Sequence, residues 1–154
     1  MHEPGPPLSR ESSIRLDRRG RFWHEGELVE HRGLARAFAR WIRRHPDDGR
    51  YVLDNGYDWC YLAVEDTPYF VQALRVGSDS IQLELSDGST ETLILGELRI
   101  GRDEVLRTRV KGGAFEAKFS RVAQLQVEPL LDPEPPLALR WAGRRHVIRD
   151  DTSS

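Results

Sequence analysis

The chain has 154 residues, 38% of them hydrophobic and 31% charged, the balance of a globular domain with a polar skin. Its net charge of −2 provides no general field for nucleic acid or an anionic membrane, so neither is expected as a partner. One cysteine, Cys60, excludes an internal disulfide framework and any CxxC metal or redox motif.

Residues 1–12, rich in proline, serine and charge, are expected to form a disordered tail, as are residues 150–154. The opening residues lack the apolar core of a signal peptide and no run approaches 18 apolar residues, so a cytoplasmic protein is expected. From Ile14, IRLDRRGRFWHEGELV reads as two short strands around a turn at residues 18–20, anchored by Phe22 and Trp23. Residues 31–45 then carry Leu34, Phe38, Trp41 and Ile42 at i, i+4, i+7 and i+8, one apolar helical stripe, stopped by PDDG at 46–49. Arg36, Arg40, Arg43 and Arg44 lie mostly off that stripe and read as a solvated face.

RYVLD is a predicted strand, and DNGY at 54–57 holds the Asn-Gly pair of a tight hairpin. Residues 59–64 are apolar on both faces, with Trp59, Tyr61 and Ala63 on one and Cys60, Leu62 and Val64 on the other. That pattern predicts a central strand with a buried, inert Cys60. In YLAVEDTPYFV, Pro68 cannot donate to a ladder and pushes Thr67 out of the helical region, so EDTP is a corner. Residues 69–76 return as the partner strand, and IQLEL and TETLIL alternate about SDGS as a second hairpin.

A third hairpin covers residues 105–119. If Gly112 and Gly113 form its turn, Val110 faces Phe115, Arg109 faces Glu116 and Arg107 faces Lys118. One face then collects Leu106, Thr108, Val110, Phe115, Ala117 and Phe119, and the other Arg107, Arg109, Lys111, Glu116 and Lys118. Ser120 is the predicted N-cap of a short helix to about Val127, broken by PLLDPEPP, and LALRWAGRRHVI closes the chain as a last hairpin. The fold class is α+β, with mainly antiparallel sheets, one long helix and one short one.

Catalytic signatures are absent: no GxSxG, phosphate-binding loop, HExxH or GxGxxG, and no metal-ligand spacing among the five histidines. No catalytic residue, metal or cofactor is expected. The polar face of the third hairpin sets four positive groups against one acid, and Arg121 follows at a helix start. Like charges gathered this way read either as a site awaiting an anion or as a ribbon screened by salt.

The pattern D-x-x-G-x-x-W-H-x-G at 17–26, with D-G-R-Y at 48–51 and V-E-D-T-P-Y at 64–69, resembles a bacterial family, domain-of-unknown-function family 1285. V-K-G-G-A-F-E-A-K-F-S-R at 110–121 and R-W-A-G-R-R-H-V-I at 140–148 resemble its later blocks. The chain departs from the family at D-N-G-Y-D-W, 54–59, where a Thr-Pro and glutamate stretch is usual, and at Tyr69, where phenylalanine is favoured. The resemblance implies two similar small α/β halves, residues 13–77 and a pleckstrin-homology-like 78–149. It further implies a nucleotide-like ligand at the interface of the halves, a role in signal transduction and no assigned enzyme activity.

Combined with the basic hairpin, this nominates Glu65, Asp66, Tyr69, Arg109, Lys111 and Arg121 as ligand-binding residues. Glu65 and Asp66 are expected first as an ion pair between the halves and second as direct ligand contacts. The expected function is a sensor for a nucleotide or other phosphate-bearing small molecule. The alternative is an adaptor that holds a protein partner and has no small-molecule ligand.

Overall fold

Short strands and two helices make up residues 10–151, which are those described by the computed structural model. They fall into two units, one ending at Asp66 and the other beginning at Thr67. The class is α+β with mainly antiparallel sheet, as the alternation predicts. Among the described residues no helix is long and apolar enough to cross a membrane.

The first unit holds two sheets and the longer helix, α1 (Arg32–Trp41). One sheet is ordered Glu27–Leu28, Phe22–His24, Arg15–Leu16, Ala63–Val64, and the other Ile42–Arg44, Tyr51–Asp54, Trp59–Tyr61. His31 caps α1 by accepting the Leu34 N–H at Nδ1, 3.0 Å away. The helix buries Ala39 and sets Phe38 edge-on to Phe22, ring centroids 5.4 Å apart. It stops short of the predicted residue 45. Ile42 leaves it at φ −67°, ψ 125° and opens a strand that pairs with Tyr51–Asp54. β-branched Ile42 is fully buried there, whereas Leu34, counted in the stripe, is 42% exposed.

The predicted central strand is two strands in two sheets. Trp59–Tyr61 pairs antiparallel with Tyr51–Asp54, and Ala63–Val64 pairs parallel with Arg15–Leu16. Buried Leu62 makes the crossing, its N–H on the Tyr51 carbonyl at 3.0 Å. Apolar residues run without a break through that crossing although only Leu62 is buried, and in sequence such a run mimics a strand covered on both faces. Cys60 is consequently half-buried rather than in the core.

In the second unit a seven-stranded sheet runs Thr90–Thr92, Ile81–Leu85, Tyr69–Val76, Phe115–Phe119, Leu106–Val110, Arg99–Ile100, Arg149–Asp150. Tyr69–Val76 lies antiparallel to Ile81–Leu85, with a bulge between Val71 and Ala73, and parallel to Phe115–Phe119. That double pairing is why the division of the chain falls before Tyr69 and not after residue 77. Helix α2 (Arg121–Val127) is capped by Ser120, whose hydroxyl accepts the Ala123 N–H at 3.2 Å. It buries Ala123 and Val127. Leu131–Asp132, Ala138–Trp141 and Arg144–Val147 form a separate three-stranded sheet.

Of the two expected tails, residues 1–9 and 152–154 lie outside the described residues. Arg10 and Ser12 are bound to the free edge of Trp59–Tyr61. The Arg10 carbonyl accepts the Tyr61 N–H at 2.7 Å, and the Ser12 hydroxyl donates to the Tyr61 carbonyl at 2.6 Å.

Candidate functional site

The D-x-x-G-x-x-W pattern is a clamp built around one carboxylate. Asp17 is 5% exposed and accepts four donors, each at 2.9 Å: the N–H groups of Arg19 and Arg21, Arg21 Nε and Trp23 Nε1. Gly20 closes the turn at φ 84°, where a side chain would be strained, and donates to the Asp17 carbonyl at 3.0 Å. Burial pushes the Asp17 carboxyl up, but the bonds from Trp23 and Arg21 outweigh it and hold the group below its ordinary value. The pattern is thus explained by a turn that carries its own counter-charges.

Glu65 locks onto that turn. Its N–H donates to the Leu16 carbonyl at 3.0 Å, and its carboxylate takes Arg15 Nη1 at 3.0 Å and the Arg18 N–H at 3.1 Å. Arg18 Nε lies 3.9 Å from the second oxygen. These partners all belong to Glu65's own unit, so the expected ion pair between halves is, for this residue, an internal one. Asp66 is exposed and ends the unit. After the corner, buried Thr67 donates its hydroxyl to the Tyr69 carbonyl at 2.8 Å.

The third hairpin has the predicted register, with Arg107 opposite Lys118, Arg109 opposite Glu116 and Val110 opposite Phe115. Leu106, Thr108, Val110, Ala117 and Phe119 are buried on the predicted face. Its cations are answered by acids that the hairpin's own sequence does not contain. Asp103 Oδ2 lies 2.8 Å from Arg107 Nη2 and 3.6 Å from Lys118 Nζ. Glu116 pairs not with Arg109 but with Arg99, which also lies 3.0 Å from Asp151. The expected excess of four positive groups over one acid therefore does not survive folding.

Lys111 and Tyr69 come together within the second unit. Lys111 Nζ sits 2.6 Å from Asp87 Oδ2, 2.9 Å from the Ser89 hydroxyl and 5.4 Å from the centre of the Tyr69 ring. Tyr69 is buried and meets Phe115 edge-on at 5.2 Å. Lys111 itself stands at φ 57°, and its N–H is held by both oxygens of Glu91 at 3.2 Å. Burial raises the Asp87 carboxyl, while the bonds from Lys111 and Ser89 lower it further, so the group ends below its ordinary value.

Arg109 and Arg121 stand apart from this cluster. Arg109 is half-exposed, 4.0 Å from Glu97, and bonds the Gly113 carbonyl at 3.3 Å. Arg121 is exposed at the start of α2 and has no ion pair among the described residues. Lys111 lies at the turn end of the hairpin and Arg121 beyond the opposite end. At about 3.3 Å per strand residue, roughly 15 Å of hairpin separates them.

A second grouping was not nominated from sequence. Trp59 and Tyr61, on one face of their strand, meet edge-on at 5.3 Å, and His45 lies 5.0 Å from Trp59 and 5.9 Å from Tyr61. Arg50 stacks 3.5 Å over Tyr61 and forks onto Glu11 at 2.8 and 3.0 Å, while Tyr61 donates to Asp48 at 2.7 Å. The i, i+2 aromatic spacing was visible; His45, Asp48 and Arg50, which join it, come from the connection between the strands Ile42–Arg44 and Tyr51–Asp54.

Two solved structures of DUF1285 family proteins share this fold. The protein from Silicibacter pomeroyi DSS-3 superposes with a TM-score of 0.72 at 18% identity, over 94% of this chain and 84% of its own. The protein from Shewanella baltica OS155 does so at 0.58 and 18% identity, over 73% of this chain and 87% of its own. No family model and no curated protein matches the sequence.

Proposed function

We propose that the chain is a divergent DUF1285-type binding module that senses a nucleotide-like or other phosphate-bearing small molecule, with contacts from the basic hairpin. Likeness in fold over 94% of the chain supports the family assignment. The observation that carries the ligand class is the state of the hairpin cations. Arg107, Lys111 and Lys118 are each held by a carboxylate, whereas Arg109 has a carboxylate only at 4.0 Å, beside its bond to the Gly113 carbonyl, and Arg121 has no ion pair among the described residues. Two available guanidiniums suit an extended anion whose charge is spread, because each offers a planar fork to phosphate or carboxylate oxygens.

Thermal-shift screening against nucleotides and phosphorylated metabolites tests this reading. A hit should weaken by about ten-fold in Arg109→Ala or Arg121→Ala, since a charge-assisted contact contributes about 1.5–3 kcal/mol. Lys111→Ala should instead lower stability, because it removes the cation that lies 2.6 Å from the Asp87 carboxylate. No shift with any phosphate compound would sink the proposal.

One observation favours the adaptor reading as a second. Val122 and Leu125 occupy i and i+3 on α2 and are 58% and 53% exposed, an apolar pair on one helix face. If the adaptor reading holds, Val122→Ser with Leu125→Ser should abolish partner capture while leaving the melting temperature unchanged.

A further inference from the structure

A cavity of about 190 Å³ opens in the first unit, walled by Phe38, Trp41, Trp59 and two aliphatic side chains, with Cys60 in its wall and Asn55 and Asp58 at its polar end. Its lining includes one acid and no basic side chain. The aromatic faces present the negative part of their quadrupole, and a carboxylate adds to the same sign of potential. The loop fixes both polar groups. Asn55 Oδ1 accepts the N–H groups of Tyr57 and Asp58, each at 2.9 Å, while Asp58 Oδ1 accepts the Trp59 N–H at 2.9 Å. Asp58 Oδ2 has no partner among the described residues.

The chain's own Arg10 displays the matching chemistry. Its guanidinium carbon lies 4.5 Å from the centre of the Trp59 ring, and Nη1 bonds the Asp58 carboxylate and, at 2.7 Å, the Trp59 carbonyl. The Arg10 guanidinium also holds the Asp58 carboxyl below its ordinary value, so the acid is ionised at neutral pH. An arginine, an aromatic ring and a carboxylate are thus already assembled on two of the residues that line the cavity.

We propose that this cavity takes a small planar organic cation, an aromatic amidine or guanidine in chemical class, with its ring against the aromatic walls and its N–H groups on Asp58. The site is independent of the basic hairpin and opposite to it in charge preference. A phosphate-bearing molecule would be repelled here, so the two proposals stand or fall separately. Arg10 acts as a competitor for the same carboxylate and the same ring.

The test uses benzamidine as the cation and benzoate as its anionic counterpart. Cys60 lines the cavity and is the chain's single cysteine, so alkylation by iodoacetamide, followed as one mass increment, reads occupancy directly. Benzamidine should slow alkylation with saturation and shift the indole N–H resonances of Trp41 and Trp59; benzoate should do neither. Asp58→Asn should weaken benzamidine about five-fold or more, the loss expected of one charge-assisted contact partly open to water. Arg10→Ala, which leaves the cavity walls intact, should tighten it. Equal effects of benzoate, no indole shift with millimolar benzamidine, or weaker binding in Arg10→Ala would each overturn the assignment.

Discussion

Two turns, one in each unit, solve the same problem with the charges reversed. At residues 17–20 the turn supplies the anion: Asp17 draws in donors from positions 19, 21 and 23. At residues 110–115 the turn supplies the cation, and the answering acids, Asp87 and Glu91, come from the hairpin about SDGS. In the first case all partners lie within six residues, so one short pattern encodes the whole device. In the second the partners are 20 and 24 residues away, and only the fold joins them. What separates the two is locality, and it decides both what can be read from sequence and what breaks when a residue is changed.

The sharpest way to break the comparison is at Asp17. Asp17→Ala leaves two backbone N–H groups, an indole N–H and a guanidinium without their common acceptor. With hydrogen bonds to a charged group contributing about 1.5–3 kcal/mol and orphaned buried donors adding a penalty, the expected loss is about 2–4 kcal/mol by urea denaturation. Asp17→Asn keeps one acceptor oxygen and should lose less. Because the folded carboxyl is held below the unfolded value of about 3.9, its contribution is fully present above that pH. It disappears as pH falls through the lower folded value, so wild type should lose more stability than Asp17→Asn on acidification below pH ~4. Parallel curves for the two proteins would refute the clamp.

Lys111 and Asp87 should give a smaller effect with a distinct signature. Breaking a buried pair from one side costs about 3–5 kcal/mol, but the Lys111 side chain is 29% exposed, so about 1–3 kcal/mol is expected for Lys111→Met or Asp87→Asn. The double variant should recover part of that loss, since no uncompensated charge remains. Strict additivity in the cycle would show that the two groups do not act as a pair. The Asp87 carboxyl is also depressed, so its share of stability is likewise present above pH ~4 and lost below it.

The same division by range governs what the sequence discloses. The register of residues 106–119 could be derived because the alternation of apolar and polar side chains sorts both strands at once, and a slip by one residue would scramble both faces. The α+β class and the two helices follow from equally local periodicities. The predicted central strand failed because Leu62 passes from one sheet to another, and an apolar crossing cannot be told from an apolar strand by pattern. The expected anion site on the hairpin was overstated for the same reason. Asp87, Glu97 and Arg99 were present in the sequence, but their arrival at the hairpin depends on the order of the seven-stranded sheet, whereas Asp103, only four residues before Arg107, was a local partner that the alternation of the strands does not reveal. The aromatic cavity was invisible for the further reason that Trp41, on α1, and Trp59, on a strand, share no periodic frame.

Glu65 sits between the two extremes, a long-range partner of a local device. It bonds Arg15 and the Arg18 N–H, but its side chain is 37% exposed and solvent screens the pairing. Glu65→Gln should therefore cost only about 0.5–1 kcal/mol, with most of the loss removed by 1 M salt in the wild-type protein. A larger, salt-insensitive loss would mean that the carboxylate's bonds from Arg15 and the Arg18 N–H are shielded from solvent and that its charge locks the corner to the turn.

The smallest effect is expected at Tyr57, and it tests the idea that side chains are fixed here by partners within reach. Tyr57 is 98% exposed at the tip of the loop, while the backbone around it is held by Asn55 and Asp54: the Tyr57 N–H lies 2.9 Å from Asn55 Oδ1 and the Gly56 N–H 2.8 Å from Asp54 Oδ1. The loop is thus built by its acceptors, and the phenol ring contributes nothing to it. Tyr57→Ser should change stability by less than about 0.5 kcal/mol, the range of surface substitutions away from structural features. Asn55→Ala, in the same loop, removes the acceptor for two N–H groups and should cost more, about 1 kcal/mol. Measuring both by thermal unfolding separates the loop's frame from its cargo. If Tyr57→Ser proves the costlier change, the ring is seated against protein in solution, and the loop geometry described for residues 54–59 is wrong.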